Sequence, residues 1–342
     1  MGDELRIREA GEGDTEQILD LLRASLGEGA IPRAREYWEW KHRSNPFGTS
    51  PALVAEAEGR VVGLRVFMRW TWERDGRRIP AVRAVDTATH PDWQGRGIFT
   101  RLTLSLVERL TEDGVAFVFN TPNRFSRPGY LKMGWSSVGR MTMWVHPRRP
   151  LRALVRLAKP TAEEGDTIPA ESSPSKKSGR SVAALLEEPE LDDLLDSRVA
   201  GDSRLSTPRT TTYLRWRYLE IPGFDYEAAW SLNDDAAAVV VYRHRRRGSL
   251  LELRFCEVLV GPGSKSRRCA ARLIRSVVRE SDADYAVAMV PAGTLARRAI
   301  ASSGFLPAPR LGPILTVRPL SDTTRRLDAS AWSLSIGDLE LF

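Results

Sequence analysis

The sequence is poor in residues that build metal centres and disulfide frameworks. Its 342 residues include only two cysteines, Cys256 and Cys269, and four histidines, His42, His90, His146 and His244. No C-x-x-C occurs and no His pair has ligand spacing, so no metal site is expected. Two thiols in a chain this size point to a reducing compartment, which makes the cytoplasm the expected location. No apolar run approaches the roughly 20 residues of a membrane helix, and the chain opens on charged residues rather than on a signal peptide. No membrane partner is expected. Charge of one sign is scarce too: 51 basic residues face 44 acidic ones, for a net charge of +7 and a pI of about 9.7. Basic residues cluster only at 243–247 and 176–180, in segments that read as turn or linker. Without a dense basic stripe, a nucleic-acid partner is not expected. The weak excess is compatible with a small polyanionic ligand.

What is present is the composition of a globular protein, 42% hydrophobic and 28% charged, long enough for two domains with their own cores. Residues 4–10 alternate as a strand. A turn at Gly11 to Asp14 precedes a helix over 15–26, and a second helix covers 32–43 and ends before Asn45-Pro46. Strands follow over 52–58, 61–72 and 80–89. A helix over 97–113 presents Leu102, Leu106, Val107 and Leu110 on one side, and VAFVFN (115–120) reads as a buried strand. Pro128-Gly129 should bend or shorten a helix around 123–133. The stretch WSSVGRMTMWV then closes the first unit as strands. Between about 158 and 180, Pro, Ser, Gly and charge replace apolar residues, which marks a linker or insertion over 151–180. The domains expected are therefore 1–150 and 181–342. The final SLSIGDLELF reads as a strand.

The second half echoes the first. EYWEWKHRSNPFG (36–48) aligns with TYLRWRYLEIPGFDY (212–226), matching Tyr37 to Tyr213, Trp40 to Trp216 and Lys41 to Arg217. Farther on, one ungapped offset of 170 residues carries LVERLTEDGVAFVFN onto VVRESDADYAVAMVP and YLKMGW onto IASSGF.

The segment DTATHPDWQGRGIFTRLT (86–103) joins an expected strand to an expected helix through Gly95 and Gly97. A glycine turn before a helix exposes unpaired N–H groups and the positive end of the helix dipole, an arrangement suited to phosphate. Side chains at either glycine would obstruct the approach. The spacing is neither that of a Walker loop nor that of a dinucleotide fingerprint.

In its setting this segment resembles the phosphate loop of the GNAT family of acyl-CoA-dependent N-acyltransferases, Q/R-x-x-G-x-G/A, here Gln94-Gly95-Arg96-Gly97-Ile98-Phe99. Asn123, Tyr130 and the pair Gly134-Trp135 follow at the family's spacing. Phe99 departs from the usual Gly or Ala, and bulky residues there resemble the tandem GNAT enzymes of the "enhanced intracellular survival" type. The resemblance implies an α+β fold, an α/β/α sandwich. It would hold two tandem GNAT-like domains, each a mixed, mostly antiparallel sheet with a central splay and flanking helices. It implies acetyl-CoA as co-substrate, with pantetheine along Thr87, Ala88 and Thr89 and pyrophosphate on Gln94, Gly95, Arg96, Gly97, Ile98 and Phe99. The backbone N–H of residue 88 or 89 would hold the oxyanion. Tyr130 is the candidate acid for the leaving thiolate, or else a tyrosine covering the core edge with its hydroxyl in water, and Asp86 is the candidate base, or else a strand-end carboxylate in a structural hydrogen bond. Asn123 would hold cofactor or backbone. His90 and Arg96 face phosphate or solvent. Trp38, Trp40 and Trp216 line an acceptor channel or, as their helical spacing favours, pack in the core.

At the same offset, Gly95 becomes Lys265, Gly97 becomes Arg267, Asn123 becomes Gly293 and Tyr130 becomes Ile300. The second domain is thus expected to keep the fold without the cofactor loop. The expected function is acetyl transfer to a primary amine on a small molecule or amino sugar, and a homo-oligomer is compatible with it. Two rival readings are a non-catalytic acyl-CoA sensor or scaffold and, with less support, a tRNA-dependent aminoacyltransferase.

Overall fold

A computed structural model describes residues 5–27, 34–148, 179–199, 203–322 and 327–339. The expected linker at 151–180 lies almost wholly outside the described residues, as does residue 342. The chain forms two compact units.

The first unit is built on strands β1 (Arg6–Glu9), β2 (Ala52–Ala57), β3 (Arg60–Arg74), β4 (Arg77–Thr89), β5 (Phe117–Asn120) and β6 (Ser136–Arg140). A late strand, β14 (Ile314–Pro319), joins them, in the order β1-β2-β3-β4-β5-β14-β6. β4 and β5 run parallel and β14 is antiparallel to β5. Helices α1 (Thr15–Leu26) and α2 (Arg35–His42) cover one face of this sheet, and α3 (Ile98–Glu112) and α4 (Arg127–Lys132) the other. The two apolar layers confirm the sandwich. Ile18, Leu22 and Trp38 pack with Leu64 and Val66 on one face. Leu102, Leu106 and Tyr130 pack with Phe67 and Val82 on the other. Burial on both faces explains why β3 shows no clean alternation. At Gly63 a Cβ would come within 2.5 Å of Ile98 Cγ2, so a bare backbone there lets the first turn of α3 sit on the sheet.

The second unit holds β7 (Met143–Pro147), β8 (Arg180–Ser181), β9 (Glu227–Asn233), β10 (Ala236–Arg247), β11 (Leu250–Val260), β12 (Tyr285–Ala288) and β13 (Leu306–Ala308). Their order is β13-β7-β12-β11-β10-β9-β8, with β11 and β12 parallel. Its helices are α5 (Val182–Leu186), α6 (Glu190–Val199), α7 (Thr211–Leu214) running into a π-helical turn (Arg215–Leu219), α8 (Gly263–Glu280), α9 (Leu295–Ser302) and α10 (Ile336–Leu339).

Two sequence expectations are corrected. β7 does not close the first sheet. It pairs with β12 and β13 in the second, while β14, its counterpart in the repeat, takes the matching place beside β5 in the first. The two repeats therefore exchange one strand each. The described part of the terminal segment is not a strand either: Ile336–Leu339 is a helical turn, anchored where the Ser335 N–H donates to Asp338 Oδ2 at 2.7 Å. The offset of 170 keeps the flanking strands and helices in correspondence, and the expected loss of the loop in the repeat takes the form of an earlier helix start. Eight residues separate β4 from α3, but only Gly261 and Pro262 separate β11 from α8. Lys265 and Arg267 thus lie inside a helix and not in a loop.

Candidate active site

The site begins where two parallel strands part. β4 pairs with β5 from Ala81 to Arg83, after which β5 ends at Asn120 and β4 runs on to Thr89 without it, still beside β3. Past Arg83 no described residue continues the ladder on the β5 side of β4, so an extended ligand can take its place. Asp86 sits at this point with φ +27°, a rare conformation for a non-glycine residue and a local store of strain.

At Thr89 the chain leaves the sheet. His90 caps a short 3-10 turn, Pro91–Trp93, by accepting from the Asp92 N–H at 3.4 Å. Gly95 and Gly97 follow with φ +75° and +73°, the left-handed region that glycine enters without penalty. A Cβ at either would have no atom within 4 Å. The space above the loop is therefore open. Gly97 is the residue before α3, so the first N–H groups of this 15-residue helix face outward at its positive end. Gln94 Nε2 donates to the Thr89 carbonyl at 3.5 Å, tying the loop's middle to its start. The Arg96 guanidinium turns back over the Trp93 ring, 4.3 Å from its centroid, and donates to the Asp92 carbonyl at 3.4 Å.

A cavity of about 300 Å³ opens here, lined by Thr87, Ala88, Thr89, Trp93, Gln94, Gly95, Gly97, Ile98 and Phe99. The expected cofactor residues thus converge on one cavity apart from Arg96 and Asn123. Asn123 holds backbone: its Oδ1 accepts from the N–H groups of Phe125 and Ser126, at 3.0 and 2.9 Å, at the turn before α4. The proline and glycine do shorten that helix, which spans six residues.

Tyr130 projects from α4 into the apolar layer beside the cavity. It is buried, edge-on to Phe99 at 5.8 Å and to Trp135 at 5.1 Å. Its hydroxyl accepts from Arg65 Nη1 at 2.9 Å. No sequence pattern singles out Arg65, one of several charged residues in β3.

Asp86 is the second centre. Lys41 Nζ lies 2.7 Å from its Oδ2 and His42 Nε2 2.8 Å from the same atom. The other His42 ring nitrogen lies 3.0 Å from Ser50 Oγ. Lys41 and His42 are buried, whereas the Asp86 side chain keeps 19% of its exposure. Burial pushes the Asp86 carboxyl up, but the Lys41 charge and the His42 hydrogen bond more than reverse this, leaving it well below the usual carboxylate range. Burial also holds His42 below the ordinary imidazole range, against the opposing pull of Asp86. Such an ionised carboxylate has little affinity for a proton, which weighs against Asp86 as a general base. Lys41 was visible in the sequence only through its match to Arg217, and His42 only as one of four scattered histidines. Trp38, Trp40 and Trp216 are all buried, as core residues are.

Among the described residues no group of His, Cys, Asp and Glu is placed to hold a metal ion. No helix among them is long and apolar enough to cross a membrane.

Comparison with known proteins agrees with this geometry. Residues 6–138 match the family model described as an acetyltransferase (GNAT) domain. No curated protein matches the sequence. Among solved structures, a GCN5-related N-acetyltransferase from Anabaena variabilis superposes with a TM-score of 0.63 at 13% identity, over 93% of this chain and 73% of that one. Eis1 from Mycobacterium abscessus gives 0.56 at 14%, over 92% and 74%. Saccharomyces cerevisiae N-myristoyltransferase with bound myristoyl-CoA gives 0.54 at 10%, over 93% and 80%. At such identities the likeness is one of fold. The segment that carries the divergent strand and the glycine loop matches a GNAT acetyltransferase domain, and the two seven-stranded sheets fit a tandem GNAT-like architecture.

Proposed function

We propose that the protein is an N-acetyltransferase, taking acetyl-CoA as donor and a primary amine on a small molecule or amino sugar as acceptor. The observation that carries this is the junction of β4, loop and α3: an unpaired strand edge leads into a bare backbone at a helix N-terminus, around one cavity. The family model matched over 6–138 and the acyl-CoA held by the yeast structural relative support the donor class.

The chemistry asks for a neutral amine, a donor for the oxyanion and a proton for the thiolate. The freed N–H groups at Ala88 or Thr89 suit the second role. Tyr130 suits the third, since its hydroxyl oxygen is already bonded as acceptor and its own hydrogen remains to be donated. Asp86, ionised and partly exposed where the strands part, suits the ammonium of the incoming acceptor. The amine nitrogen bonds to the thioester carbon, the carbon–sulfur bond breaks, the sulfur gains a proton and the nitrogen loses one.

The test has two stages. Acetyl-CoA should raise the melting temperature, and thiol should then be released with at least one member of an amine library. Stabilisation without thiol release from any amine would favour the acyl-CoA sensor; no stabilisation at all would remove the donor assignment.

A further inference from the structure

Arg65 lies in the middle of β3 and is fully buried. Its guanidinium carbon stands 4.4 Å from the Phe67 ring centroid, 5.3 Å from that of Tyr130 and 5.6 Å from that of Phe99. Nη1 donates to the Tyr130 hydroxyl, and among the described residues neither Nε nor Nη2 meets an acceptor. No carboxylate among the described residues pairs with it. A buried guanidinium without a counter-anion is costly, because ring faces recover only part of its lost hydration. Leu or Met would fill the same space without that cost. Arg209 differs: it is paired with Asp338 and Glu257.

We infer that Arg65 is a positioning residue for proton delivery by Tyr130. The inference rests on the reading of Tyr130 as the acid. The bond from Nη1 occupies one lone pair of the Tyr130 oxygen and fixes the hydroxyl as an acceptor toward the protein interior. Its hydrogen must then point elsewhere, and Phe99, which touches Tyr130 edge-on, also lines the cavity. When the carbon–sulfur bond breaks, the electron pair stays on sulfur and Tyr130 gives it the proton. The phenolate left behind lies 2.9 Å from a guanidinium nitrogen in a dry, apolar setting, where opposite charges interact strongly. Tyr130 returns to its neutral form with the proton that the new amide nitrogen releases. Arg65 is thus an unpaired cation until an anion forms beside it during turnover. This is stabilisation of developing charge by a fixed partner that needs no reorganisation.

The experiment measures steady-state kinetics and acetyl-CoA binding for Arg65→Met, Arg65→Lys, Tyr130→Phe and the double variant Arg65→Met/Tyr130→Phe. Arg65→Met should lower kcat by about tenfold to a hundredfold, with acetyl-CoA affinity and acceptor KM within about twofold and the melting temperature not reduced. Arg65→Lys, which keeps the charge, should restore part of the loss. It also serves as the working variant should the Met protein be insoluble. In the Tyr130→Phe background, Arg65→Met should change kcat by less than about twofold, as expected of residues acting as a unit. Unchanged kcat in Arg65→Met, with Tyr130→Phe slow, would overturn the role of Arg65 alone. An equal loss in both backgrounds would mark Arg65 as a fold or binding residue. Wild-type turnover in Tyr130→Phe would instead remove the reading of Tyr130.

Discussion

Both units bring a short helix against a carboxylate on the strand that outruns its parallel neighbour. In the first unit, Lys41 and His42 of α2 reach Asp86 on β4. In the second, Tyr218 of the π-helical turn donates to Glu257 on β11 at 2.9 Å. The helices correspond, since Tyr37, Trp40, Lys41 and His42 align with Tyr213, Trp216, Arg217 and Tyr218. The surroundings do not. The Asp86 side chain keeps 19% of its exposure, but Glu257 keeps 2%, closed over by Arg209, Ser335 and Asp338. The same supersecondary plan thus yields an open carboxylate beside a bare loop in one unit. In the other it yields a sealed ion cluster beside a two-residue connection. The difference teaches that a loop of eight residues and an uncovered carboxylate, not the sheet and helices, separate a candidate active site from a structural unit.

The largest effect that would sharpen this comparison is on turnover. Tyr130→Phe should lower kcat by about 10²- to 10⁴-fold with little change in acetyl-CoA affinity. Ile300→Val, at the aligned position in α9, should leave kcat unaltered. Kinetics of the two variants side by side decide this, and equal rates would break it.

Next comes the contrast between the two carboxylates. Asp86→Asn leaves buried Lys41 without its carboxylate and should cost about 3–5 kcal/mol of stability. Glu257→Gln should cost less, about 1–3 kcal/mol, because Arg209 keeps Asp338 at 2.8 Å. Only Asp86→Asn should raise the acceptor KM, by about tenfold for a lost charge-assisted contact. Urea titrations and acceptor saturation curves separate the two, and a raised acceptor KM in Glu257→Gln would contradict the assignment.

The smallest effect is a pH dependence. His42 is held below the ordinary imidazole range in the folded protein. The unfolded chain therefore binds a proton first as pH falls through about 6.5. The stabilisation tied to a neutral His42 is complete above that pH and is lost as pH drops toward the folded value. The loss is at most about 1.4 kcal/mol per pH unit for one proton. Subtracting the pH dependence of His42→Gln from that of wild type isolates this term from His146, which is also shifted down by burial. A difference that stays flat between pH 7.5 and 5.5 would contradict the burial argument.

How much of this was legible in the sequence follows from the range of the interactions. The loop was legible because Gln94, Gly95, Gly97 and the first turn of α3 act within a few residues. Helices α1 to α3 were legible from apolar spacing alone. The Lys41–His42–Asp86 cluster was not, because it joins residues 44 or more positions apart and only the paired fold brings them together. The strand exchange was not legible either. β7 and β14 carry equivalent local patterns, and only long-range pairing decides which sheet each completes. The terminal SLSIGDLELF alternates like a strand, but Asp338 turns it into a cap that meets Arg209.

The central claim is that one unit grips the donor's diphosphate and the other does not. Calorimetric titration with acetyl-CoA tests it most directly, using wild type, Gly97→Glu and Lys265→Glu. The account predicts one equivalent bound per chain, lost in Gly97→Glu and unchanged in Lys265→Glu. Two equivalents, or binding that survives in Gly97→Glu and disappears in Lys265→Glu, would contradict it.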